Sequence, residues 1–381
     1  MLLELKARKQ REVSPREVCP ESGARVVQLT SAAYLHAHIY PESPVFTPDS
    51  RYFIYQRFQG LDGPNEYWLC DLATYEIAPL TEPGMLHSPA VTPDGRHVVY
   101  LREVAPRELE IRRITLATRT DEPVARVTGH RRPYPLSTIS SDSRWFVTGV
   151  WAATGLFGLL RVDLATGEAA VVHEGQDIFN PHMQFDPRPG KSDILVQHNR
   201  GGKVDENGHI VCLIGDIGAT FYLIDKDGGN LRRLAIGKPY TVGVQGHQCW
   251  LGLTGRILST LGTSQEDAER VGNICTIAEG DARPTIIAKG HYFSHPNASR
   301  DGRFLVSDAL PGGDIYVGSV KTGRILLLCR SLSSFGTPQY AHPHPAFSPD
   351  AKTVLFNSDR TGLAQIFCAR LPEGLLESLE R

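Results

Sequence analysis

Short apolar runs alternate with polar turn signals along the whole chain. In the first repeat, Ser43 and Pro44 are followed by Pro48 and Asp49 and then by an apolar run over residues 52–55. Runs of this length, rich in aromatic and β-branched residues and bounded by Pro, Asp and Gly, predict β-strands. The same order of signals recurs around five further turn aspartates, Asp94, Asp142, Asp186, Asp301 and Asp350.

The spacing of these repeats predicts the fold class. The first four turn aspartates lie 45, 48 and 44 residues apart, and the last two lie 49 apart. The 115 residues between Asp186 and Asp301 hold two units and an insertion. A period of about 40–50 residues, with four short strands per unit, is typical of propeller blades. The sequence therefore predicts an all-β protein, a seven-bladed β-propeller.

A strand predicted near the N-terminus matches a strand that the last unit lacks. Residues 24–30 have the pattern of a strand without a blade of its own, whereas the last unit ends at its third strand, over residues 365–371. We expect the N-terminal strand to pair with the last blade and to close the ring, because closure removes an exposed sheet edge. Residues 1–20 are then a charged N-terminal tail, and residues 21–381 form a single propeller domain.

Composition narrows the possible partners. Forty Lys and Arg residues balance 42 Asp and Glu residues, for a net charge of −2, so we expect neither nucleic-acid nor membrane binding. The seven cysteines are scattered without a Cys-x-x-Cys pair, which indicates small buried hydrophobes in a reducing compartment. The charged N-terminus lacks the apolar segment of a secretion signal, and we expect a cytoplasmic protein.

Histidines recur at one position of the repeat. The position six residues before the turn aspartate holds His295 and His344 in the last two units, and alignment on Trp250 places His247 there in the unit before them. This position begins the strand that lines the central channel, so equivalent side chains of adjacent blades converge. His342 precedes His344 by two residues. A proline after each favours an extended strand, in which both rings share a face.

These side chains are candidate metal ligands. His295, His342 and His344, with Gln339 just upstream, make a mixed nitrogen and oxygen set without thiolate, which suits Mn²⁺, although three imidazoles also suit Zn²⁺. His247, one blade further, is a candidate base. The alternative is that each histidine only satisfies hydrogen bonds in the core.

The fourth unit offers further candidates. His182 and His198 are positioned to line the same funnel and to bind substrate. The insertion over residues 199–218 carries Arg200, Lys203, Asp205 and Glu206, a set compatible with a lid, with an anion contact or with a plain loop.

The last unit reads Gln339-x-x-His342-Pro343-His344-Pro345 and continues to Ser358-Asp359. With His295 before Ser299-x-Asp301, and His247 before Trp250, this pattern resembles the oligogalacturonate lyases, seven-bladed propellers that cleave short pectic uronates. The resemblance spans most of the chain. Two further segments carry it: residues 162–168, and Asp227-Gly228-x-Asn230.

The resemblance implies a set of roles. His295, Gln339, His342 and His344 would be the metal ligands, usually of Mn²⁺, and His247 the catalytic base. The expected reaction is β-elimination on an acidic oligosaccharide. The proton at C5 is removed beside the uronate carboxylate, whose developing charge a divalent cation stabilises, and the C4 oxygen is expelled.

One position departs from the family pattern. The family has a uronate-binding arginine in the strand before Asp225, at about the place of Thr220 in this chain. Threonine cannot replace a bidentate clamp on a carboxylate. Either Arg200 or Lys203 substitutes for it, or the substrate differs, or the activity is lost.

Two other functions remain open on the sequence. A non-catalytic propeller of the TolB or WD type would bind a partner or a sugar through its funnel, since fold alone does not fix function. A metal-dependent hydrolase or epimerase would need a second essential carboxylate near the metal, for which the sequence offers no clear candidate.

Overall fold

A small turn explains why the repeat is visible in the sequence. In the first repeat the Thr47 hydroxyl donates to Asp49 Oδ1 (2.6 Å), which also accepts the backbone N–H of Arg51 (3.0 Å). The residue after the aspartate has a positive φ, 59° at Ser50 and 72° at Gly95, and glycine adopts such a φ without strain. The same pair of bonds forms at the turn aspartates of four other repeats, Asp94, Asp142, Asp301 and Asp350.

The computed structural model describes residues 10–60, 63–130, 133–153, 155–205, 209–336 and 339–381. Glu206, named above in the insertion, lies outside these residues. The chain begins with two strands that belong to the last blade and then forms blade 1. These strands are β1 (Ser14–Val18), β2 (Arg25–Gln28), β3 (Leu35–His38), β4 (Tyr52–Phe58), β5 (Asn65–Asp71) and β6 (Ile77–Pro79).

Blades 2 and 3 are plain four-stranded antiparallel sheets, and blade 4 carries the insertion as a separate hairpin. Blade 2 contains β7 (Leu86–Val91), β8 (His97–Ala105), β9 (Glu108–Thr115) and β10 (Thr120–Thr128). Blade 3 contains β11 (Ser137–Ile139), β12 (Trp145–Ala153), β13 (Leu156–Asp163) and β14 (Ala169–Gly175). Blade 4 contains β15 (Gln184–Phe185), β16 (Ile194–His198), β19 (Thr220–Ile224) and β20 (Arg232–Arg233), and its hairpin contains β17 (Lys203–Val204) and β18 (Ile210–Cys212).

Blades 5 and 6 carry His247 and His295 on their first strands. Blade 5 contains β21 (Val244–Trp250), β22 (Ile257–Leu261), β23 (Ile274–Ile277) and β24 (Thr285–Ala288), with helix α1 (Gln265–Arg270) between β22 and β23. Blade 6 contains β25 (Tyr292–Ala298), β26 (Phe304–Leu310), β27 (Asp314–Ser319) and β28 (Ile325–Cys329).

Blade 7 ends the chain. A one-turn 3-10 helix (Gln339–Ala341) leads into β29 (Ala346–Phe347), β30 (Thr353–Ser358), β31 (Gln365–Arg370) and helix α2 (Leu375–Ser378). The seven sheets confirm the predicted fold class, a seven-bladed β-propeller. Neither α1 nor α2, the α-helices of the described residues, has the length and apolar character needed to cross a membrane.

The chain divides into two compact units. One holds blades 1, 6 and 7 and nearly all of blade 5, over residues 1–83, 247–276 and 285–381. The other holds blades 2, 3 and 4, over residues 84–246 and 277–284. All the histidines predicted to form the metal centre, together with His247, belong to the first unit.

The N-terminal strand pairs with the last blade, as the sequence predicted. Strand β2 runs antiparallel to β31, with Arg25 opposite Arg370 and Gln28 opposite Phe367. Strand β1 pairs in turn with β2. It lies within the span predicted as a charged tail, and its mostly exposed side chains explain why no alternation marked it as a strand.

Aromatic and branched side chains fill the space between blades 6 and 7. Phe304 and Val306 of β26 pack in one cluster with Phe347, Phe356 and Phe367 of blade 7. The rings of Phe356 and Phe367 are fully buried and stacked, 5.6 Å apart. Truncating a buried phenylalanine to alanine costs about 3–5 kcal/mol, so this core stabilises the packing of the two blades that carry His295, His342 and His344.

A buried ion pair fixes the N-terminal segment to blade 1. The guanidinium of Arg57 donates to Glu12 Oε1 (2.9 Å) and to His36 Nε2 (2.8 Å), and it stacks 3.7 Å from the ring centre of Trp68. Burial raises the pKa of Glu12, but backbone N–H groups and the Arg57 charge outweigh it, and the pKa is lowered overall. Burial, and after it the Arg57 charge, lowers the pKa of His36 to about 4. His36 is therefore a neutral acceptor in this network.

Replacing Glu12 with alanine leaves the Arg57 guanidinium buried without its carboxylate. We expect the free energy of unfolding to fall by about 3 kcal/mol, because losing one partner of a buried ion pair leaves an uncompensated charge. Urea denaturation followed by tryptophan fluorescence measures the change. Glu21→Ala is the matched control, since the Glu21–Arg330 pair (2.8 Å) lies at the surface and should contribute little. An equally small effect of both substitutions would contradict the stabilising role of the buried pair.

Candidate metal centre and its histidines

Three imidazoles from blades 6 and 7 converge. One ring nitrogen from each of His295, His342 and His344 can be chosen so that all three lie within 4.8 Å of one another. The ring centroids of His295 and His344 are 4.2 Å apart, and that of His342 lies 5.7 Å from His295 and 5.6 Å from His344. The predicted meeting of these side chains is thus observed, at a spacing that allows one ion to bind all three.

The backbone that brings His342 and His344 together differs from the prediction. The expected extended strand over this segment is wrong, because His342 directly follows the 3-10 helix and β29 begins only at Ala346. His344 has a φ of 48°, in the left-handed region. The rings therefore converge through a tight irregular turn, in which a histidine at positive φ stores strain of the kind found at functional sites.

A buried carboxylate orients His295. Asp308 Oδ2 lies 2.8 Å from His295 Nδ1, and Oδ1 accepts the backbone N–H of His295 (2.8 Å). A carboxylate accepts hydrogen bonds, so Nδ1 carries the proton and Nε2 keeps its lone pair. This is the usual second partner of a metal-binding histidine.

Two nitrogens of the cluster have no partner within the described part of the chain. His344 Nε2 and His342 Nδ1 are both buried without a hydrogen bond. Burial first, and then the neighbouring imidazoles, lowers the pKa of His344 well below its ordinary value, and burial with His295 lowers that of His342. Buried polar atoms are nearly always paired, and a neutral imidazole keeps one lone pair for a metal, so these rings fit the donor set of a metal site.

His247 lies beside this cluster, on β21 of blade 5. Its ring centroid is 4.3 Å from that of His295, and its φ is 59°, again left-handed. The hydroxyl of Tyr40 is hydrogen-bonded to His247 Nδ1. The ring of Tyr40 lies 4.5 Å from that of His344, centroid to centroid. Tyr40 therefore contacts both the candidate base, His247, and a candidate ligand, His344.

Gln339 is less well supported than the histidines. It lies at an exposed position in the 3-10 helix, and its backbone carbonyl accepts the N–H of His342 (2.9 Å). This bond shapes the turn into the cluster. A role for the Gln339 side chain as a ligand stays a prediction.

Comparison with known proteins finds similar sequences over most of the chain. The oligogalacturonate lyase of Dickeya dadantii (strain 3937) is 24% identical over 400 residues, which cover 93% of this chain and 95% of that protein. The oligogalacturonide lyase of Pectobacterium atrosepticum is 25% identical over 402 residues, with the same coverage. No family model matches the chain.

Solved structures give the same result for the fold. An oligogalacturonate lyase in complex with manganese superposes with a TM-score of 0.76 at 22% identity, over 97% of this chain and 98% of that one. The oligogalacturonate lyase of Vibrio parahaemolyticus also reaches 0.76, at 20% identity, over 96% and 98% of the two chains. The chain is related to the oligogalacturonate lyases. The resemblance predicted from the sequence is confirmed.

Three residues predicted to bind substrate lie in the other unit. His182 is buried, with its ring edge toward Tyr134 at 6.0 Å between centroids. His198 Nε2 lies 2.9 Å from Asp177 Oδ1. Arg200 lies at the start of the insertion in blade 4. The roles of these residues in binding an oligogalacturonate-like substrate stay predictions.

The arginine of the insertion has a structural role. The guanidinium of Arg200 donates to the backbone carbonyls of Gly218 (2.8 Å), Lys238 (2.8 Å) and Ile217 (3.1 Å). These bonds clamp the base of the insertion and lend no support to a substrate contact. Thr220, the position at which the resemblance places an arginine, is buried and donates its hydroxyl to the carbonyl of Ile236. The role of Arg200 in binding substrate stays a prediction.

Three side chains that shape the site, those of Asp308, Asn357 and Tyr40, were not predicted from the sequence. Asp308 lies seven residues after the turn aspartate Asp301, and Asn357 holds the equivalent position after Asp350, where its Oδ1 accepts the N–H of His38 (3.1 Å). Aligning the second strand of blade 6 with that of blade 7 would have shown that Asp308 and Asn357 hold equivalent positions. His38 is fully buried, burial lowers its pKa to about 4, and it in turn contributes to the low pKa of His344. Tyr40 follows it in the chain.

Asp308→Asn should weaken metal binding without unfolding blade 6. The amide has nearly the shape of the carboxylate but loses its charge and one acceptor, so His295 is no longer held in a single tautomer. We expect Mn²⁺ affinity, measured by isothermal titration calorimetry, to fall roughly 10–100-fold. Asp301→Asn, at an exposed turn of the same blade, should bind Mn²⁺ like the unaltered protein. Equal affinities of the two variants would show that Asp308 does not support the site.

Proposed function

We propose that this protein is a metal-dependent lyase that cleaves uronate-containing oligosaccharides by β-elimination. The observation that carries the proposal is the meeting of four imidazoles, three clustered around one point and the fourth, His247, beside them. The names of the related proteins, oligogalacturonate and oligogalacturonide lyases, support the same reaction class. The substrate we infer is a short acidic oligosaccharide.

His295, His342 and His344 would hold the cation, with Gln339 as a fourth donor. Three neutral imidazoles and an amide oxygen suit Mn²⁺, and the manganese complex of an oligogalacturonate lyase supports that choice. When bound, the ion neutralises the uronate carboxylate and so lowers the energy of the charge that develops as the C5 proton leaves. The low pKa values of His342 and His344 keep their nitrogens available as ligands at neutral pH.

His247 would remove the C5 proton. A neutral imidazole is a base of suitable strength near neutral pH, and the ring lies next to the ligand His295 rather than in the bulk solvent. Loss of the C4 oxygen then completes the elimination and leaves a double bond between C4 and C5. β-Elimination consumes no water, so the metal does not need to generate a hydroxide.

The proposed substrate contacts take account of the family's arginine, which this chain lacks at Thr220, and of the candidate side chains in the fourth blade. Since Thr220 and Arg200 are both engaged with backbone carbonyls, we infer that the family's arginine clamp is not reproduced at this place. His182 and His198 of the fourth blade, with Arg200 of its insertion, remain the proposed substrate contacts. A cytoplasmic location fits an enzyme for short oligosaccharides and is part of the same proposal.

The reaction can be tested directly. Incubation of the protein with di- and trigalacturonate and Mn²⁺ should produce ultraviolet absorbance from the unsaturated uronate. Chelation with EDTA should abolish the signal, and added Mn²⁺ should restore it, because the carboxylate charge is otherwise uncompensated. A screen of other uronate oligosaccharides identifies the preferred substrate. Absence of product from every uronate would reject the lyase and favour a propeller that only binds its ligand.

His247→Ala tests the proposed base while leaving the proposed metal ligands unaltered. We expect kcat to fall by about 10²–10⁴-fold, the usual contribution of a general base, with Mn²⁺ affinity close to that of the unaltered protein. His97→Ala is the control, since His97 is a partly exposed strand residue of blade 2. A His247→Ala protein with full activity would require a different base.

A further inference from the structure

The segment between β28 and the 3-10 helix carries a phenylalanine that packs against the candidate ligands. The ring of Phe335 is stacked on that of His342, with the centroids 4.3 Å apart and 20° between the two planes. Its centroid also lies 6.0 Å from that of the His295 ring. An aromatic side chain therefore forms one wall of the histidine cluster.

His342 is constrained by fewer polar contacts than the other two candidate ligands. His295 is hydrogen-bonded to Asp308 and His344 is only 3% exposed, whereas His342 is partly exposed. Its Nδ1 has no hydrogen bond among the described residues. The torsion that turns an imidazole about its Cβ–Cγ bond has broad minima, so the orientation of this ring depends on packing. Rotation out of the stacked plane would bring the edge of the imidazole into the ring of Phe335.

An aspartate of blade 7 holds the segment that carries Phe335. Asp359 Oδ1 accepts the backbone N–H of Ser334 (2.7 Å), and Oδ2 accepts the hydroxyl of the same serine. The hydroxyl oxygen of Ser334 accepts in turn the N–H of Gly336 (3.1 Å). The residues on both sides of Phe335 are thus tied to one carboxylate, directly or through a single hydroxyl.

The backbone around the ring is shaped to accommodate it. Phe335 has a φ of 55°, in the left-handed region that a bulky side chain rarely adopts. Such strain persists where surrounding contacts impose it, and it is concentrated at functional sites. In the turn between β26 and β27, a Cβ added at Gly313 would lie 2.9 Å from Phe335 Cδ2. The glycine therefore leaves the space that the phenyl ring occupies.

We propose that Phe335 is a positioning residue for the metal ligand His342, and that Asp359 holds it in place. The stacked ring keeps the imidazole in the orientation that leaves one of its nitrogens within 4.8 Å of nitrogens of His295 and His344. The role in metal binding rests on the proposed function, whereas the stacking is a property of the metal-free protein. Loss of the ring weakens the site without removing a ligand.

Metal affinity provides the first measurement. Phe335→Leu keeps an apolar side chain but loses the flat ring, and we expect Mn²⁺ affinity, measured by isothermal titration calorimetry, to fall about ten-fold, as for residues that orient metal ligands. Phe335→Tyr keeps the ring and should bind Mn²⁺ nearly as the unaltered protein does. Leu332→Ala is the control, since Leu332 is 57% exposed in the same segment, and it should leave the affinity unaltered.

The role of Asp359 can be tested by combining substitutions. Asp359→Ala should also lower Mn²⁺ affinity, because the segment then loses its anchor. In the Phe335→Leu protein the same substitution should have little further effect, since Asp359 acts on His342 through the phenyl ring. Independent, additive losses would show that Asp359 supports the site by another route.

The orientation of His342 can be observed without any metal. In metal-free protein labelled with ¹³C at histidine, the ring current of Phe335 should shift the ring C–H signals of His342 upfield. Loss of signals in His342→Gln assigns them. We expect the signals to move downfield in Phe335→Leu and to stay in place in Phe335→Tyr.

The outcomes separate this inference from the function. Unchanged His342 signals in Phe335→Leu, or an unchanged Mn²⁺ affinity, overturn the positioning role even if the enzyme is active. If the unaltered protein binds no Mn²⁺, the proposed function fails, while the spectra of the metal-free protein still decide whether Phe335 orients the imidazole. A loss of affinity in Phe335→Leu that accompanies the change in signals, with both retained in Phe335→Tyr, supports the role.

Discussion

Burial keeps the imidazoles of His342 and His344 neutral, because a charged ring in this position would face other imidazoles rather than water. Within the described residues, nothing donates to or accepts from the buried His344 Nε2 or His342 Nδ1. Such unpaired atoms cost free energy unless a ligand pairs with them. A divalent cation bound by these nitrogens would relieve that cost. The orientation of His295, the strained turn at His344 and the position of Tyr40 are all arranged around this point.

The blades supply the rigidity that such a site requires. In five repeats a turn ties a Ser or Thr hydroxyl to an aspartate, and aromatic cores such as the one containing Phe356 lie between neighbouring sheets. The histidines lie where regular pairing is interrupted: β25 has a register irregularity between Phe293 and Pro296, on either side of His295. Bulges also occur in other blades, for example between Pro123 and Ala125 in blade 2, and bulges next to active sites commonly aim a side chain in this way.

Periodic features were predictable from the sequence, and features that join distant blades were not. The turn aspartates gave the number of blades, and the shared register of His247, His295 and His344 indicated that their side chains meet. The left-handed backbone at His344 leaves no periodic signal. The bond between Tyr40 and His247 joins positions 207 residues apart, and the contacts of Arg200 are to backbone carbonyls, which every residue has. Strand β1 escaped notice because its outward side chains do not alternate.

The blade that carries His342 and His344 is built from both ends of the chain. Its strand β2 pairs with β31 across more than three hundred residues, so this sheet cannot be completed before most of the polypeptide has been synthesised. Contacts of such long range form late, because closing a large loop costs chain entropy that local contacts do not incur. A cation that binds the finished cluster shifts the equilibrium toward the fully assembled chain. A bound ion would then stabilise the joining of the two ends of the chain in blade 7.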